Sequence, residues 1–395
     1  MKLLRTVSTT RLIAIAVAFV VVLVGAAAAI AGSGGGGPVP PDKPLAQAIH
    51  DALSAPDPGG VTARISFTNN LFPSGALTGT TGSALMTGAT GRLWLNQNGG
   101  RIELQSDAGD VQVVWDQSKL TVYDASSNTA YTADLPTTKD STSGAPSTPP
   151  SLDQISTFLT DLGKHWTVSG ATPSDVAGQA AYSVSVSPSH DGGLLGSAEL
   201  AWDAVQGVPL KIAIYAQGSS APALALQVDQ ISFGSVSDSD IAIPVPAGAK
   251  IVDLSSQGVA PGTDGSTAPI TGLAAVQAAA PFTFVAPNTL VGLPLQDIRL
   301  VGGADAKSKS VIAIYGQGLG AILVVERAKD ATASAGTDKS GAMSGLPSVS
   351  LDGITAHELS TELGSALTWD NAGVSYILAG SVPTPAAEAA ARALK

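Results

Sequence analysis

Most of the chain alternates apolar and polar residues with a period of two, the pattern of strands that bury one face. Between residues 91 and 124 this alternation predicts four short strands, joined by tight turns such as Asn98-Gly99-Gly100. The same pattern predicts strands at 61–68, 181–187, 197–203, 210–217 and 224–233. We therefore expect an antiparallel sheet with one buried face and one wet face.

Two segments of this region have helical spacing instead. The first is 42–53, where Leu45, Ala48 and Ile49 fall on one side. The second is 151–166, which opens with Ser151 and Gln154 in capping-box spacing. A meander interrupted by a helix and followed by more strands predicts an α+β fold, in which a strongly curved antiparallel sheet carries helices against its concave face.

Polar and glycine-rich stretches divide the chain into parts. We predict an export signal or membrane anchor with a Gly/Pro linker at 1–41, a first domain at 42–254, a linker at 255–279 and a smaller C-terminal α+β domain at 280–395. The second domain is expected to contain a hairpin of strands 310–315 and 321–326, strands at 367–370 and 374–379, and a final helix at 385–394.

The N-terminal segment has the charge pattern of an export sequence. Three basic residues precede an uncharged run of 20 residues, which begins at Leu12, includes Phe19 and Ile30, and ends at Ala31. The run is long enough to span a bilayer, and its small residues also fit cleavage near Ala31. An anchor in the cytoplasmic membrane and a cleaved signal both stay open. Each of them predicts that the rest of the chain works outside the cytoplasm.

Composition excludes several classes of function. The formal net charge is −11, so the surface should repel nucleic acid. The sequence contains no cysteine, which excludes disulfides, thiolate metal sites and a thiol nucleophile. The four histidines are scattered, and none of them has the spacing of a metal site.

Catalytic motifs are also missing. The glycine-rich stretch 316–320 precedes an apolar run typical of a strand, so it predicts a hairpin turn rather than a dinucleotide-binding loop. Acidic pairs such as Asp238 and Asp240 occur in turn-rich sequence, where carboxylates cap the backbone. We therefore expect a protein that is not an enzyme and uses no metal or cofactor.

The alternating apolar positions are the candidate binding site. They lie on the predicted sheet and on the apolar side of the second helix, which could close over the sheet. A curved sheet lined in this way can enclose a cavity for a lipid, and the same residues would equally form a filled core. The candidates are Leu93, Leu95, Ile102, Leu104, Val113, Trp115, Val122, Ile155, Phe158, Leu159, Leu162, Tyr182, Val184, Leu200, Trp202 and Ile212.

The order of several short stretches in the first domain resembles the LolA/LppX/RseB superfamily of lipoprotein carriers. The stretches include Gly91-Arg92-Leu93-Trp94-Leu95, Val113-Val114-Trp115-Asp116, Leu200-Ala201-Trp202-Asp203 and Ile243-Pro244-Val245-Pro246. The two-domain plan is similar to that of actinobacterial LolA-like or sigma-E regulatory MucB/RseB-like proteins. At the C-terminal end, the stretches 367–370 and 373–382 contribute to this second likeness.

This resemblance implies a half-open β-barrel with helices over a hydrophobic cavity that accepts acyl chains. It implies a non-catalytic protein that binds lipid or acylated lipoprotein, as a carrier or acceptor. The alternative that it implies is an envelope-stress regulator, whose C-terminal domain binds an anti-sigma factor. A transporter is a further possible partner. The family's cavity residues follow no fixed motif, so the resemblance assigns no single residue.

Overall fold

The computed structural model describes residues 39–71, 84–135, 149–189, 193–253, 269–302, 309–329 and 346–394. The predicted anchor residues Leu12, Phe19 and Ile30 lie outside these ranges. Within them, no helix is both long enough and apolar enough to cross a membrane.

The first domain consists of thirteen strands and four helices among the described residues. The helices are α1 (Leu45–Ser54), α2 (Ala84–Thr87), α3 (Leu152–Leu162) and α4 (Asp238–Ile241). The strands are β1 (Val61–Asn69), β2 (Ala89–Asn96), β3 (Gly99–Ser106), β4 (Gly109–Asp116), β5 (Lys119–Asp124), β6 (Thr129–Asp134), β7 (Trp166–Val168), β8 (Thr172–Val176), β9 (Gln179–Pro188), β10 (Leu195–Asp203), β11 (Pro209–Ala216), β12 (Pro222–Phe233) and β13 (Lys250–Asp253).

These strands form one large curved sheet in the order β13-β6-β5-β4-β3-β2-β1-β12-β11-β10-β9-β7, with β8 beside β9. The prediction of a wholly antiparallel sheet is wrong at one place, because β13 returns from the far end of the domain and pairs with β6 in parallel. No closed barrel forms among the described strands, and the half-open α+β architecture is confirmed.

A β-bulge in β12 keeps the apolar residues in both halves of this strand on one face of the sheet. Ala63 faces Ile231, whereas Ile65 faces Val228, so β12 gains one residue at Asp229 relative to β1. Side chains alternate faces along a strand, and one extra residue reverses the parity of everything after it. The apolar residues on both sides of Asp229 therefore point to the same face of the sheet.

Helix α3 ends earlier than the apolar spacing predicts. Its N-terminus has the predicted capping box, in which Ser151 Oγ accepts from the backbone N–H of Gln154 at 3.3 Å and the Gln154 side chain accepts from the backbone N–H of Ser151 at 2.8 Å. Gly163 forms the C-cap, and Trp166, predicted as the last helical residue, begins the edge strand β7.

The second domain is a smaller sheet in the order β14-β16-β17-β18-β22-β21-β20-β19, with β15 beside β16. Its strands are β14 (Ile270–Thr271), β15 (Thr289–Leu290), β16 (Leu293–Val301), β17 (Ser310–Tyr315), β18 (Ile322–Ala328), β19 (Ser348–Leu351), β20 (Ile354–Thr361), β21 (Gly364–Asn371) and β22 (Val374–Gly380). Helices α5 (Leu273–Ala279) and α6 (Thr384–Ala393) pack on one face, with Val276 and Ala387 fully buried in the core between helices and sheet.

Residues 270–279 were predicted to belong to the linker and instead form β14 and α5 of this second sheet. The glycine-rich stretch 316–320 is the turn between the antiparallel strands β17 and β18, as predicted.

Among the described residues, backbone hydrogen bonds join the two domains at two places. The Leu194 N–H donates to the Ser381 carbonyl at 3.1 Å and to Ser381 Oγ at 3.0 Å. The Glu362 N–H donates to the Leu71 carbonyl at 3.1 Å. A side-chain carbon at Gly193 would lie 2.2 Å from the Ser381 carbonyl oxygen, so the close approach depends on glycine there.

Candidate functional site

The candidate sheet residues lie on one face of the first sheet, which we call the apolar face. Strand register shows this directly, because directly opposite residues share a face. Val122 faces Val113, Val113 faces Ile102, and Ile102 faces Leu93. In the other half of the sheet, Leu226 faces Ile212, Ile212 faces Leu200, and Leu200 faces Val184.

Two separate core clusters cover parts of the apolar face. The first surrounds the β1–β4 region, where α2 places Ala84 against the buried residues Leu104 and Val111. The second lies under α1, where Ala48 and Ala52 pack with Tyr182, Val184 and Trp202. These buried residues form filled core, so Leu104, Tyr182 and Trp202 cannot line an empty cavity in this structure.

Between the two clusters the apolar face is only half covered. Ile212, Ile214 and Leu224 are adjacent in register, half-buried, and members of neither cluster. Leu200 and Leu226 are also half-buried and border this stretch from the two sides. Among the described residues, this interval between the clusters is where the apolar face remains open to a further apolar molecule.

Trp115 occupies a notch formed by a glycine on the neighbouring strand. Gly100 faces Trp115 in register, and a side-chain carbon at Gly100 would lie 2.3 Å from Trp115 Cζ2 and 2.5 Å from Leu95 Cδ2. The indole therefore lies directly over Gly100, beside Leu95. Sequence reasoning selected Trp115 and Leu95 but missed Gly100, since a glycine in a turn-like stretch gives no signal of a packing role.

The start of the first domain is fixed to the second cluster through Tyr182. Its hydroxyl donates to the Pro41 carbonyl at 2.6 Å, and the Lys43 ammonium lies 5.8 Å from the centre of its ring. The Tyr182 and Trp202 rings are 6.2 Å apart. The hydrogen bond from Lys43 to Asp51, at 2.6 Å, raises the pKa of Lys43 and lowers that of Asp51.

The four candidates on α3 are less well covered than those on the sheet. Ile155 is buried, Leu159 and Leu162 are half-buried, and Phe158 is 50% exposed. Helix α3 packs mainly against α1 and touches β7. It therefore does not lie across the open interval of the apolar face, and the predicted lid over the sheet is not formed in this structure.

An open cleft of about 530 Å³ lies between α1, α3 and β7. Its apolar lining residues are Leu45, Leu159, Trp166 and Val168, and the other lining residues are Thr160, Gly163, Thr167, Ser169 and Ser189. The cleft is open to solvent, and residues of α3 form one of its walls.

Two groups of charged side chains on the strands of the first domain lie on the opposite face of the sheet. Arg101 stacks over Trp94 at 4.5 Å and pairs with Glu103, while its Nη1 donates to the Asp240 carbonyl at 2.9 Å. On β10 and β11, Lys211 Nζ and the Tyr215 hydroxyl each donate to Glu199 at 2.9 Å. These two charged groups therefore lie away from the apolar face.

One buried acid in the second domain was missed by sequence reasoning. Glu326 on β18 is fully buried, and its Oε2 accepts from the backbone N–H of Val285 at 2.9 Å. Burial raises the pKa of Glu326 to about 7, against the opposing effect of hydrogen bonds from Val285 and Tyr376. The signal was present, because Ile322, Val324 and Glu326 follow a two-residue spacing towards the core.

Two tyrosines, Tyr315 and Tyr376, lie near this acid in the second-domain core. Burial and the proximity of Glu326 raise the pKa of both Tyr315 and Tyr376 to about 12. Trp369 stacks on Tyr376 with ring centres 4.9 Å apart. No group of three or more acidic or histidine side chains that could hold a metal ion occurs in the part of the chain that the structure describes.

No protein-family model matches the sequence, and no curated protein matches it. Several solved structures match the chain. MucB in complex with MucA(peri) is 15% identical with a TM-score of 0.39, covering 89% of this chain and 96% of that one. The MucA/MucB complex of Pseudomonas aeruginosa is 14% identical with a TM-score of 0.40, covering 89% of this chain and 95% of that one.

A domain described as an outer membrane lipoprotein-sorting protein, from Vibrio parahaemolyticus, is 10% identical with a TM-score of 0.21, covering 50% of this chain and 95% of that one. These neighbours are of the two kinds that the sequence resembles, MucB/RseB and LolA-like proteins. Likeness at this level does not carry a function from one protein to another.

Proposed function

We propose that the first domain binds an acyl chain of a lipid or an acylated lipoprotein on its apolar face, as a carrier or acceptor outside the cytoplasm. The observation that supports this is the half-covered interval of Ile212, Ile214 and Leu224 between two filled clusters. Contiguous apolar surface of this kind marks a binding site more often than a scattered exposed leucine does. Each methylene group of a ligand buried there contributes about 0.8 kcal/mol.

The proposed ligand differs from the sequence-based expectation in where it binds. The buried candidates belong to the two filled clusters on either side of the open interval, and they are Leu104, Tyr182, Val184 and Trp202. In the proposal, the half-buried residues Leu200, Ile212 and Leu226 contact the ligand. We further propose that residues 1–41 hold the chain at the outer surface of the cytoplasmic membrane. Three basic residues before an apolar run of 20 residues support this tether.

Uptake of a fluorescent C16 fatty acid by the purified full-length chain tests the binding function. Ile212→Asp places a charge in the open interval, and we expect at least a tenfold loss of affinity. Val114→Asp is the matched control, because Val114 is equally half-buried but lies on the opposite face from Val113. No uptake by the wild-type chain, together with an absence of co-purifying lipid, would contradict the proposal.

A second candidate function concerns the outer face of the second sheet. Leu323 and Ile377 are each 38% exposed there, and Val325 and Ile312 continue the same surface in register. Helices α5 and α6 cover only the other face. This exposed apolar surface favours a regulator whose C-terminal domain binds a protein partner, such as an anti-sigma factor.

Titration with the purified extracytoplasmic part of an anti-sigma factor from the same organism tests this second function. We expect Leu323→Asp to weaken binding at least tenfold, whereas Val114→Asp in the first domain leaves it unchanged. Equal binding by both variants would place the contact elsewhere, and no binding by the wild-type chain would reject this partner.

A further inference from the structure

Helix α3 has an apolar side that its own domain covers only in part. We call this side the α3 stripe, and it consists of Leu152, Ile155, Phe158, Leu159 and Leu162. A helix on a soluble domain normally buries such a stripe. Here Ile155 is its only buried member, while Phe158 and Leu152 are 50% and 39% exposed.

The α3 stripe lies close to where the described chain begins. The Tyr182 hydroxyl holds Pro41 next to the start of α1. From α1, His50 Nδ1 lies 3.0 Å from the carbonyl oxygen of Pro150, the residue before the cap of α3. Helix α1 is therefore a short bridge between the entry of the chain and the N-terminus of α3.

The distance from this entry to the apolar run is also short. Ten residues, 32–41, connect Ala31 to Pro41. Ten residues can extend to on the order of 35 Å at most, and a Gly/Pro-rich linker usually spans less. A run that enters a membrane up to Ala31 would therefore keep α3 within a few nanometres of the bilayer surface.

With such a tether, weak contacts are sufficient to hold α3 at the membrane surface. A short flexible linker gives an effective concentration in the millimolar range, so two or three apolar side chains can hold a helix at an interface. The charges of α3 do not favour anionic headgroups, because Asp153 and Asp161 are acidic and Lys164 is paired with Asp161 at 2.5 Å. Contact with the membrane would depend on apolar insertion rather than on charge.

We propose that α3 docks on the membrane that the N-terminal segment enters, with Phe158 and Leu152 inserted at the headgroup boundary. This inference rests on the proposed tether. It places the cleft between α1, α3 and β7 at the bilayer surface, since Leu159 of the α3 stripe also lines that cleft.

The absence of cysteine from the chain allows a direct test with single nitroxide labels. Phe158→Cys places a label on the α3 stripe, and Thr157→Cys places one on the adjacent, exposed side of the same helix. The labelled full-length chain is reconstituted in phosphatidylcholine nanodiscs, and collisions of each label with oxygen and with a water-soluble nickel chelate are measured.

We expect the label at 158 to collide more often with oxygen than the label at 157 does. We also expect its collision rate with the nickel chelate to be at least threefold lower than that of the label at 157. In discs with one quarter phosphatidylglycerol, added salt should strengthen this difference, because it screens repulsion between the acidic helix and the anionic lipid.

Three outcomes would overturn the docking. If the discs retain the chain but the nickel chelate reaches both labels equally, docking is rejected and the tether still holds. A chain that remains outside the discs would reject both. A label at 158 that neither reagent reaches would show that protein, from this domain or from a second copy, covers the stripe.

Discussion

The carboxylate of Glu326 accepts a hydrogen bond from the backbone N–H of Val285 at 2.9 Å inside the second domain. The segment that holds Val285 connects α5 to β15, and Phe282, Phe284 and Ala286 of the same segment pack against the core. Glu326 thus fixes this connection to the centre of the sheet.

The ionisation of Glu326 should make the second domain less stable as pH rises. Its pKa is about 7 in the folded chain and 4.5 as an ordinary glutamate, so the folded state binds the proton more tightly. Stability is then fully present below about pH 4.5 and is lost as pH rises through 7, by roughly 3 kcal/mol. Glu326→Gln should remove this loss and unfold at a higher temperature than the wild-type chain at pH 8.

Calorimetry of the second-domain transition from pH 5 to pH 8 measures this effect. Asp107→Asn, at an exposed turn of the first domain, is the control and should leave the pH slope unchanged. A wild-type slope in Glu326→Gln would assign the titration to another group.

Gly193 should control how closely the two domains approach each other. Gly193→Ala adds a carbon 2.2 Å from the Ser381 carbonyl oxygen and strains a backbone with φ of +57°. Gly218→Ala is matched in strain, since φ is +77°, but nothing lies within 4 Å of the added carbon. We expect only Gly193→Ala to speed hydrogen exchange at the Leu194 N–H, which donates to Ser381 in this contact. Equal exchange in the two variants would show that the contact is dispensable.

Tyr182→Phe should release the beginning of the domain without unfolding it. The variant loses the 2.6 Å hydrogen bond to Pro41 and keeps the packing of the ring against Trp202. We expect a loss of about 1 kcal/mol in stability and faster proteolysis near residues 39–44. Tyr131→Phe, on an exposed ring, serves as the control, and unchanged proteolysis in Tyr182→Phe would mean that α1 alone holds the entry.

Gly100→Ala should displace Trp115 from its notch. The added carbon would meet the indole and the Leu95 side chain, so the ring must rotate away from β3. We expect the stability to fall by about 1–3 kcal/mol, as is usual for overpacking, and the near-UV circular dichroism signal to change. An unchanged spectrum would show that Trp115 and Leu95 adjust without leaving the face.

Alternation of apolar residues was sufficient to predict much of the first sheet. The predicted strand at 91–97 is β2 (Ala89–Asn96), and the strand at 224–233 lies within β12 (Pro222–Phe233). Successive side chains of a strand point to opposite faces, so burying one face of the sheet produces a clear two-residue period of apolar residues in the sequence. The face shared by Val113, Ile102 and Leu93 followed from the same rule.

Other features depend on contacts that the sequence does not reveal. Strands β7 and β8 are short and carry polar residues, and they form because β9 offers them a partner. The parallel pairing of β13 with β6 joins segments more than 100 residues apart. The positions of α1 and α2 decide which candidate residues are buried in the core and which stay open. The apolar periodicity of a single strand does not indicate where those helices pack.

The extra residue at Asp229 has a consequence for how the sheet tolerates change. Deleting it would make the β1–β12 ladder regular and would leave Leu224, Leu226, Val228, Ile231 and Phe233 on the apolar face, because Val228, Gln230 and Ile231 would then alternate without interruption. A regular ladder that kept Asp229 would instead turn one half of these residues to the wet side. Homologous chains that are one residue shorter in this strand should therefore lack the bulge, and their apolar residues should still share one face.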